Sequence, residues 1–308
     1  MEHLHKIWKQ SPLLGATCLL MLAAFAAAAA GMALDPRTIT GVNAWLKPAK
    51  FAISTAIFSA TIAWIFGYLT PSPKLTRLGR TLSAMLILEV AIIFVQAWRG
   101  TTSHFNLSTP LNGALFGIMG VGIAVVWIAT IGVFLAALRQ RFADPSWGWS
   151  LRLGLLIAVI GSAAGGLMLR PTPGQAVNRQ FAGGHTVGAP DGGPGLPGVG
   201  WSSEHGDLRV PHFFGLHAIQ VLPFCAWLFR RRRRVTALVV TASASYFGFI
   251  LILTWQALRG ESIAQPGGAT LTALALWLAV TAGAVVWTQL ARGAAKVQSQ
   301  SLPAGVAL

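Results

Sequence analysis

Eight long apolar runs restrict what this chain can fold into more than any other feature of the sequence. They lie near residues 12–34, 50–70, 78–98, 112–138, 150–169, 211–229, 235–258 and 269–290. Each comes close to the roughly 20 apolar residues that a helix needs to cross the ~30 Å hydrocarbon layer of a bilayer. Because backbone polar groups in lipid must be satisfied internally, such uninterrupted runs indicate helices rather than the alternating strands of a barrel. The sequence therefore predicts an all-α integral membrane protein of about eight transmembrane helices.

The basic residues predict how these helices are oriented. Charged residues make up only 10% of the chain, and the net charge is +15. With a cytoplasmic N-terminus, fifteen of the 23 Lys and Arg residues fall in inner segments and eight in outer ones, as the positive-inside rule requires. We expect a multi-pass protein of the cell (inner) membrane, with both termini cytoplasmic and the lipid bilayer as its partner. Since the basic residues are spread over short loops, no nucleic-acid partner is expected; the oligomeric state is left open.

Three short matches between the two halves of the chain indicate an internal repeat. They pair 31–36 with 166–171, 46–51 with 208–213, and 96–100 with 256–260, at offsets of 135, 162 and 160 residues. Such matches in the same order predict two parallel four-helix repeats, 1–141 and 142–296, followed by a C-terminal tail, 297–308.

The growth of the offset locates an insertion, about 172–207, which is a Gly/Pro-rich extracytoplasmic loop between the fifth and sixth helices. Its composition has no helical or strand period. A flexible connector is one interpretation of this loop. An ordered cap over the outer mouth of the bundle is the other, because long loops in compact domains are usually functional when they are not disordered.

Histidines are concentrated on the predicted outer side. His104, His185, His205, His212 and His217 all fall in outer loops or at the outer ends of helices. Imidazole is a common ligand of zinc, copper and iron, and an axial ligand of haem. The predicted metal ligands are His104, His205, His212 and His217, with Zn, Cu, Fe or haem as the possible cofactor.

The doubled four-helix plan resembles that of the haem A synthases in architecture. Enzymes of that family carry histidine pairs in both halves, whereas the first half of this chain offers only His104 in its core or outer loops. No haem-binding residue is therefore carried over from the resemblance.

The remaining polar residues of the outer side supply candidates for catalysis and substrate binding. Glu89 is the only carboxylate inside a predicted helix, and ionisable residues within a span are functional candidates by default. The predicted catalytic residues are Glu89, Asp207 and Glu204. The predicted substrate-binding residues are Lys47, Gln96, Arg99, Arg209, Gln220, Gln256 and Arg259. Arg99 and Arg259 have an equally good interpretation as cations that cap the C-terminal ends of helices.

Two hypotheses for function follow, with a non-chemical assembly or sensory subunit as a third. The first is a metal- or haem-dependent membrane enzyme or redox protein that acts on a lipid-like or anionic substrate at a site facing the extracytoplasmic side. The alternative is a transporter or small-molecule-binding membrane protein with its site near Glu89.

Overall fold

The computed structural model describes residues 11–170 and 180–290, and within these ranges the chain is almost entirely helical. The helices are α1 (Pro12–Leu34), α2 (Leu46–Phe66), α3 (Pro73–Trp98), α4 (Pro110–Arg139), α5 (Pro145–Ala164), α6 (Arg209–Leu216), α7 (Ala218–Phe229), α8 (Val235–Leu258) and α9 (Gly268–Leu290). A 3-10 segment, Gly165–Leu169, extends α5. Strands β1 (Thr38–Ile39) and β2 (Val42–Asn43) pair antiparallel, as do β3 (Thr186–Val187) and β4 (Gly206–Asp207).

The helices agree with a multi-pass helical membrane protein. Within the described ranges, α1 to α5, α8 and α9 are each long and apolar enough to span a bilayer, and α6 with α7 forms an eighth candidate. The predicted runs 12–34 and 235–258 coincide with α1 and α8. The predicted tail, 297–308, lies outside the described residues.

The sixth span differs from the prediction of one continuous helix over 211–229. It is bent by 48° between α6 and α7. His217, at the break, has a ψ of −2°, and Pro223 interrupts the backbone hydrogen bonding of α7 a few residues later. Gly215, just before the break, packs directly on Gly161 of α5. Glycine and proline are the usual causes of such kinks.

Three helices begin with a side-chain cap followed by proline. Ser72 accepts a hydrogen bond from the Leu75 amide, Thr109 from Asn112, and Asp144 from both Ser146 and Trp147. Such caps satisfy amides that have no partner inside the helix, and proline at the first position lacks the amide in any case. The starts of α3, α4 and α5 are thus fixed by local sequence.

The bundle has two distinct ends. One, here called the loop end, is formed by residues 35–45, 99–109, 180–208 and 259–267, which are joined by hydrogen bonds such as Leu107 N to Gln180 O (2.8 Å) and Ser262 Oγ to Ser202 O (2.8 Å). The other, the arginine end, is formed by 67–72, 140–144 and 230–234. The largest apolar core lies between the two ends and includes Ile62, Leu82, Val133 and Leu155.

The described part of the Gly/Pro-rich segment, residues 180–208, is tied to its surroundings; we call it the long loop. The amide of Ala182 donates to Phe105 O (2.9 Å), and Lys50 Nζ of α2 donates to Val199 O (2.7 Å). Within the loop, β3 pairs with β4. The long loop therefore packs across the loop end and forms one wall of the site described next.

Candidate functional site

The loop end encloses a cavity of about 670 Å³, within the range of roughly 300–1,000 Å³ that is typical of small-molecule sites. Its walls come from the β1–β2 hairpin, the first turns of α2, residues 101–105 and the long loop. Apolar lining is supplied by Ile39, Val42, Phe51, Ile93 and Phe105, and ionisable lining by Lys47, Lys50, His104, His185, Asp191, Glu204, His205 and Arg209. The cavity is thus partly apolar and rich in cations and imidazoles.

Two lysines on the first turn of α2 bring positive charge to the cavity. Lys47 and Lys50 are three residues apart and share one face of the helix. Within the described residues, neither forms an ion pair with a carboxylate. Lys50 Nζ donates to Val199 O at 2.7 Å, and Lys47 Nζ lies 5.8 Å from the centre of the Phe51 ring. Because the N-terminus of α2 adds the positive end of the helix dipole, this wall is suited to an anion.

The third cation of the cavity, Arg209, is already neutralised. Its Nε and Nη2 atoms donate to the Asp207 carboxylate, at 2.9 Å to Oδ1 and 2.5 Å to Oδ2. The Asp207 side chain is fully buried, accepts a further hydrogen bond from the Ser202 amide (2.8 Å) and does not line the cavity. Asp207, predicted to be catalytic, therefore holds Arg209 and the long loop in place.

Glu89 lies beneath the cavity beside His104. His104 Nε2 is 3.4 Å from Glu89 Oε1, and Nδ1 is 3.1 Å from Ser103 Oγ. Glu89 is only 3% exposed, and neither of its carboxylate oxygens has a hydrogen-bond partner among the described residues. The contact with His104 is thus close enough for an ion pair but is not aligned as a hydrogen bond. Burial holds the pKa of His104 well below its usual value, so its imidazole is neutral at neutral pH.

A second histidine, His185 in the long loop, is paired with a carboxylate. Its Nδ1 lies 2.7 Å from Asp191 Oδ2, and Asp191 also accepts from the backbone amides of His185 and Thr186 at 2.9 Å each. Burial lowers the pKa of His185, although the hydrogen bond from Nδ1 to Asp191 opposes that effect. Burial alone would raise the pKa of Asp191, but the hydrogen bonds from His185 and the amides bring it below its usual range. The pair is therefore a neutral imidazole oriented by a carboxylate.

Phe105 separates the two histidines and has a strained backbone. Its φ is +59°, a left-handed conformation that is rare for a bulky side chain. The ring lies 5.0 Å from the His185 ring and 6.0 Å from the His104 ring, centre to centre. Such strain persists only where the surroundings enforce it, and it is concentrated at functional sites. Here it fixes the spacing of His104 and His185 along the cavity wall.

The four histidines predicted to bind a metal do not come together, which does not support the predicted metal-binding site. His212 Nδ1 lies 2.8 Å from Gly161 O of α5, whereas the His217 ring packs 4.3 Å from that of Phe213. Only His104 and His205 line the cavity. Five residues turn a helix by 500°, so His212 and His217 face different directions, and the break at His217 separates them further. Among residues 11–170 and 180–290, no group of three or more His, Cys, Asp or Glu side chains could hold a metal ion.

The predicted substrate-binding amides and distal arginines serve mostly as local braces. Gln96 Nε2 donates to Thr102 O (3.3 Å), and Gln256 Nε2 donates in the same way to Ser262 O (2.8 Å). Gln220 Nε2 donates to Thr61 Oγ1 at 3.0 Å.

The two arginines that follow α3 and α8 are also engaged. Arg99 contacts Asn112 Oδ1 at 2.9 Å, while Arg259 pairs with Glu261 at 2.8 Å. Of the predicted substrate-binding set, only Lys47 and Arg209 line the cavity, and Glu204 is the one predicted catalytic residue that lines it.

Lys50, Ser103 and Asp191 line the cavity but are absent from the predicted site, and His185 is not among its predicted ligands. The spacing of His185 and Asp191, six residues apart among turn-forming Gly and Pro, was a usable signal. Such a segment folds back on itself, and Asp readily accepts hydrogen bonds from nearby backbone amides.

Comparison of the chain with protein-family models, with curated proteins and with solved structures yields no match. What the fold supports is the class of a helical, multi-pass membrane protein, and any function has to be argued from the cavity itself.

Proposed function

We propose that this protein binds a small anionic molecule with an apolar portion, such as a lipid-like monoester or carboxylate, in the cavity at its loop end. The observation that carries the proposal is the pair Lys47 and Lys50, two cations without a carboxylate partner in the described residues, on the wall of a 670 Å³ cavity. Apolar groups such as Ile39, Phe51 and Ile93 line the same space. A charged head and a short apolar tail would each meet suitable partners.

The direction in which the cavity opens is also part of the proposal. The loop end corresponds to the outer segments of the positive-inside assignment, and the arginine end carries Arg230 to Arg234. The protein would thus present its site to the extracytoplasmic side of the cell membrane, with both termini in the cytoplasm.

A four-helix repeat explains how such a site could arise on one side of the bundle. The turns after α3 and α8 share local geometry at an offset of 160 residues: Gly100 and Gly260 have φ of +72° and +78°, and Gln96 and Gln256 donate to the carbonyl six residues ahead. We infer two parallel four-helix repeats, the second carrying the inserted long loop. The insertion contributes His185 and Asp191 to the cavity, whereas the first repeat contributes Lys47, Lys50 and His104.

Binding to purified protein in lipid nanodiscs tests the proposal. Dodecyl phosphate should bind, while dodecyl glucoside and dodecyltrimethylammonium, which share the tail but lack the negative charge, should not. Replacement of both lysines, Lys47→Ala with Lys50→Ala, should weaken binding of dodecyl phosphate at least about tenfold, since each charge-assisted contact contributes on the order of 1 kcal/mol or more. Lys74→Ala, at the exposed start of α3, is the matched control and should bind like the unaltered protein. Equal binding of all three amphiphiles would contradict the proposal.

A transporter is the second candidate, and Glu89 is the observation that favours it. A buried intramembrane carboxylate without hydrogen bonds among the described residues is costly to maintain unless it binds an ion or a proton. In proteoliposomes, uptake of the bound anion that disappears in Glu89→Gln while nanodisc binding persists would support transport. Binding without any uptake would restrict the function to a receptor or an enzyme.

A further inference from the structure

The long loop places a histidine and a carboxylate against the cavity in the arrangement that general-base catalysis requires. The Asp191 carboxylate at Nδ1 of His185 fixes the tautomer in which Nδ1 carries the proton. The other ring nitrogen, Nε2, then presents its lone pair. Among the described residues Nε2 has no hydrogen-bond partner, and the His185 side chain lines the cavity with 20% of its surface exposed.

His104, the other cavity histidine with a carboxylate beside it, is less free to take a proton. Its Nδ1 faces the Ser103 hydroxyl and its Nε2 faces Glu89. Both of its ring nitrogens are engaged, so His185 is the better base.

The cations that would hold an anionic ligand are close to this histidine. Lys47 and Arg209 both lie within electrostatic range of His185, and Lys47 is also within range of Asp191. Since Arg209 is neutralised by Asp207, Lys47 is the positive charge nearest to His185 that remains free to stabilise a developing oxyanion.

We propose that His185 and Asp191 form a general-base dyad that hydrolyses a carboxylic ester in the anionic, lipid-like molecule bound by the cavity. This inference rests on the proposed binding function and adds a reaction to it. His185 acts on the water directly, Asp191 is its positioning residue, and the lysines hold the anionic part of the substrate.

The reaction balances with water as the only co-reactant. His185 Nε2 removes a proton from a water molecule while the water oxygen forms a bond to the ester carbonyl carbon. The carbonyl π electrons move to oxygen, and the resulting oxyanion is stabilised by Lys47. When this intermediate collapses, the bond to the alkoxy oxygen breaks, and that oxygen takes the proton from His185. The products are a carboxylic acid and an alcohol, and the dyad returns to its starting state.

The rate should depend on pH in a way that reports His185. Because burial lowers the pKa of His185 below 6.5, hydrolysis should stay constant down to a more acidic pH than free imidazole would allow, then fall as His185 is protonated. The charged or titratable groups that face it are Asp191, His104, His212, Lys47 and Arg209. Asp191→Asn removes the carboxylate that raises the pKa of His185, so the acid limb should move to still lower pH.

A matched pair of probes separates the reaction from binding. The ester 1-dodecanoyl-glycerol-3-phosphate and its ether analogue 1-dodecyl-glycerol-3-phosphate differ only at the bond to be cleaved. Full-length protein in nanodiscs should release dodecanoate from the ester and bind the ether intact. His185→Gln and Asp191→Asn should each lower the rate at least about 100-fold while binding the ether within about threefold of the unaltered protein. Lys74→Ala should change neither measurement.

The outcomes are distinct. If the ether binds through Lys47 and Lys50 but the ester is not cleaved, the dyad proposal fails and the binding function stands. If neither lipid binds, both proposals fail. If cleavage survives in His185→Gln but is lost in Ser103→Ala or His104→Gln, the reaction belongs to the neighbouring Ser103 and His104, and the assignment to His185 is overturned.

Discussion

Individual charges at the loop end differ sharply in what their removal should cost. Arg209 pairs with Asp207, whose side chain is fully buried, while Arg259 pairs with Glu261 next to solvent or headgroups, with 46% of the arginine side chain exposed. A buried carboxylate left without its partner is expensive because it cannot recover its hydration. An exposed pair contributes little, since water replaces the partner.

We therefore expect Arg209→Ala to lower the free energy of unfolding by about 3 kcal/mol, the lower end of the cost of breaking a buried ion pair. The lower end applies because the Arg209 side chain is itself 29% exposed. Arg259→Ala, its matched control, should cost at most about 1 kcal/mol. Denaturant titration in micelles, followed by tryptophan fluorescence, measures both. Equal losses in the two variants would show that Asp207 is not held as described.

The site was harder to predict from sequence than the residues that compose it. Lys47, Glu89, His104 and Arg209 were all predicted as functional, because ionisable groups near a membrane core are rare and conspicuous. Which of them meet depends on helix rotation and on the path of the long loop. Neither is set by spacing along the chain, and for this reason His212 faces α5 instead of the cavity.

At the scale of single helices, one contact between α5 and α6 depends on two glycines. A Cβ atom on Gly161 would lie 2.5 Å from the Cα atom of Gly215. Small residues allow backbones in membranes to approach this closely. The contact sets the position of α6, and with it the start of the sixth span beneath the cavity.

Gly161→Ala should push α5 and α6 apart and cost about 1–3 kcal/mol of unfolding free energy, as overpacking does. Gly120→Ala on α4, where an added Cβ meets nothing within 4 Å, should cause no loss. Thermal unfolding of the two variants in the same detergent compares them. A loss shared by both would point to a general intolerance of alanine and not to this contact.

The cap of α5 gives a prediction that depends on pH. Hydrogen bonds from the Ser146 side chain and from the Ser146 and Trp147 amides outweigh partial burial and lower the pKa of Asp144. A carboxyl group with a lowered pKa stabilises the folded state at neutral pH, and that contribution is lost as the pH falls through the folded-state pKa. Asp144→Ala should cost about 1 kcal/mol at pH 7, and the difference from the unaltered protein should shrink in acid. A difference that stays constant with pH would contradict a charged cap.

Helix positions were the best-predicted level of the structure. Apolar run length alone located α1 and α8 to the residue, because the thickness of the bilayer fixes how long such runs must be. The break in the sixth span was missed, since hydropathy is blind to a bend that arises from packing between Gly161 and Gly215.

At the scale of the whole molecule, orientation decides which compartment supplies the ligand. In a background with Cys18 and Cys225 replaced by alanine, a cysteine at position 193 in the long loop should react with a membrane-impermeant maleimide in intact cells. A cysteine at position 232, at the arginine end, should react only after the cells are opened. The reverse pattern would place the cavity on the cytoplasmic side.

The account as a whole depends on the cavity being a ligand site with Lys47 and Lys50 as its anion-binding wall. A crystal structure grown in lipid with saturating 1-dodecyl-glycerol-3-phosphate tests this most directly. We expect density for the phosphate within hydrogen-bonding distance of both ammonium groups, and for the tail along Ile39, Phe51 and Ile93. A cavity filled only by ordered water at saturating ligand, with the lipid bound elsewhere, would contradict it.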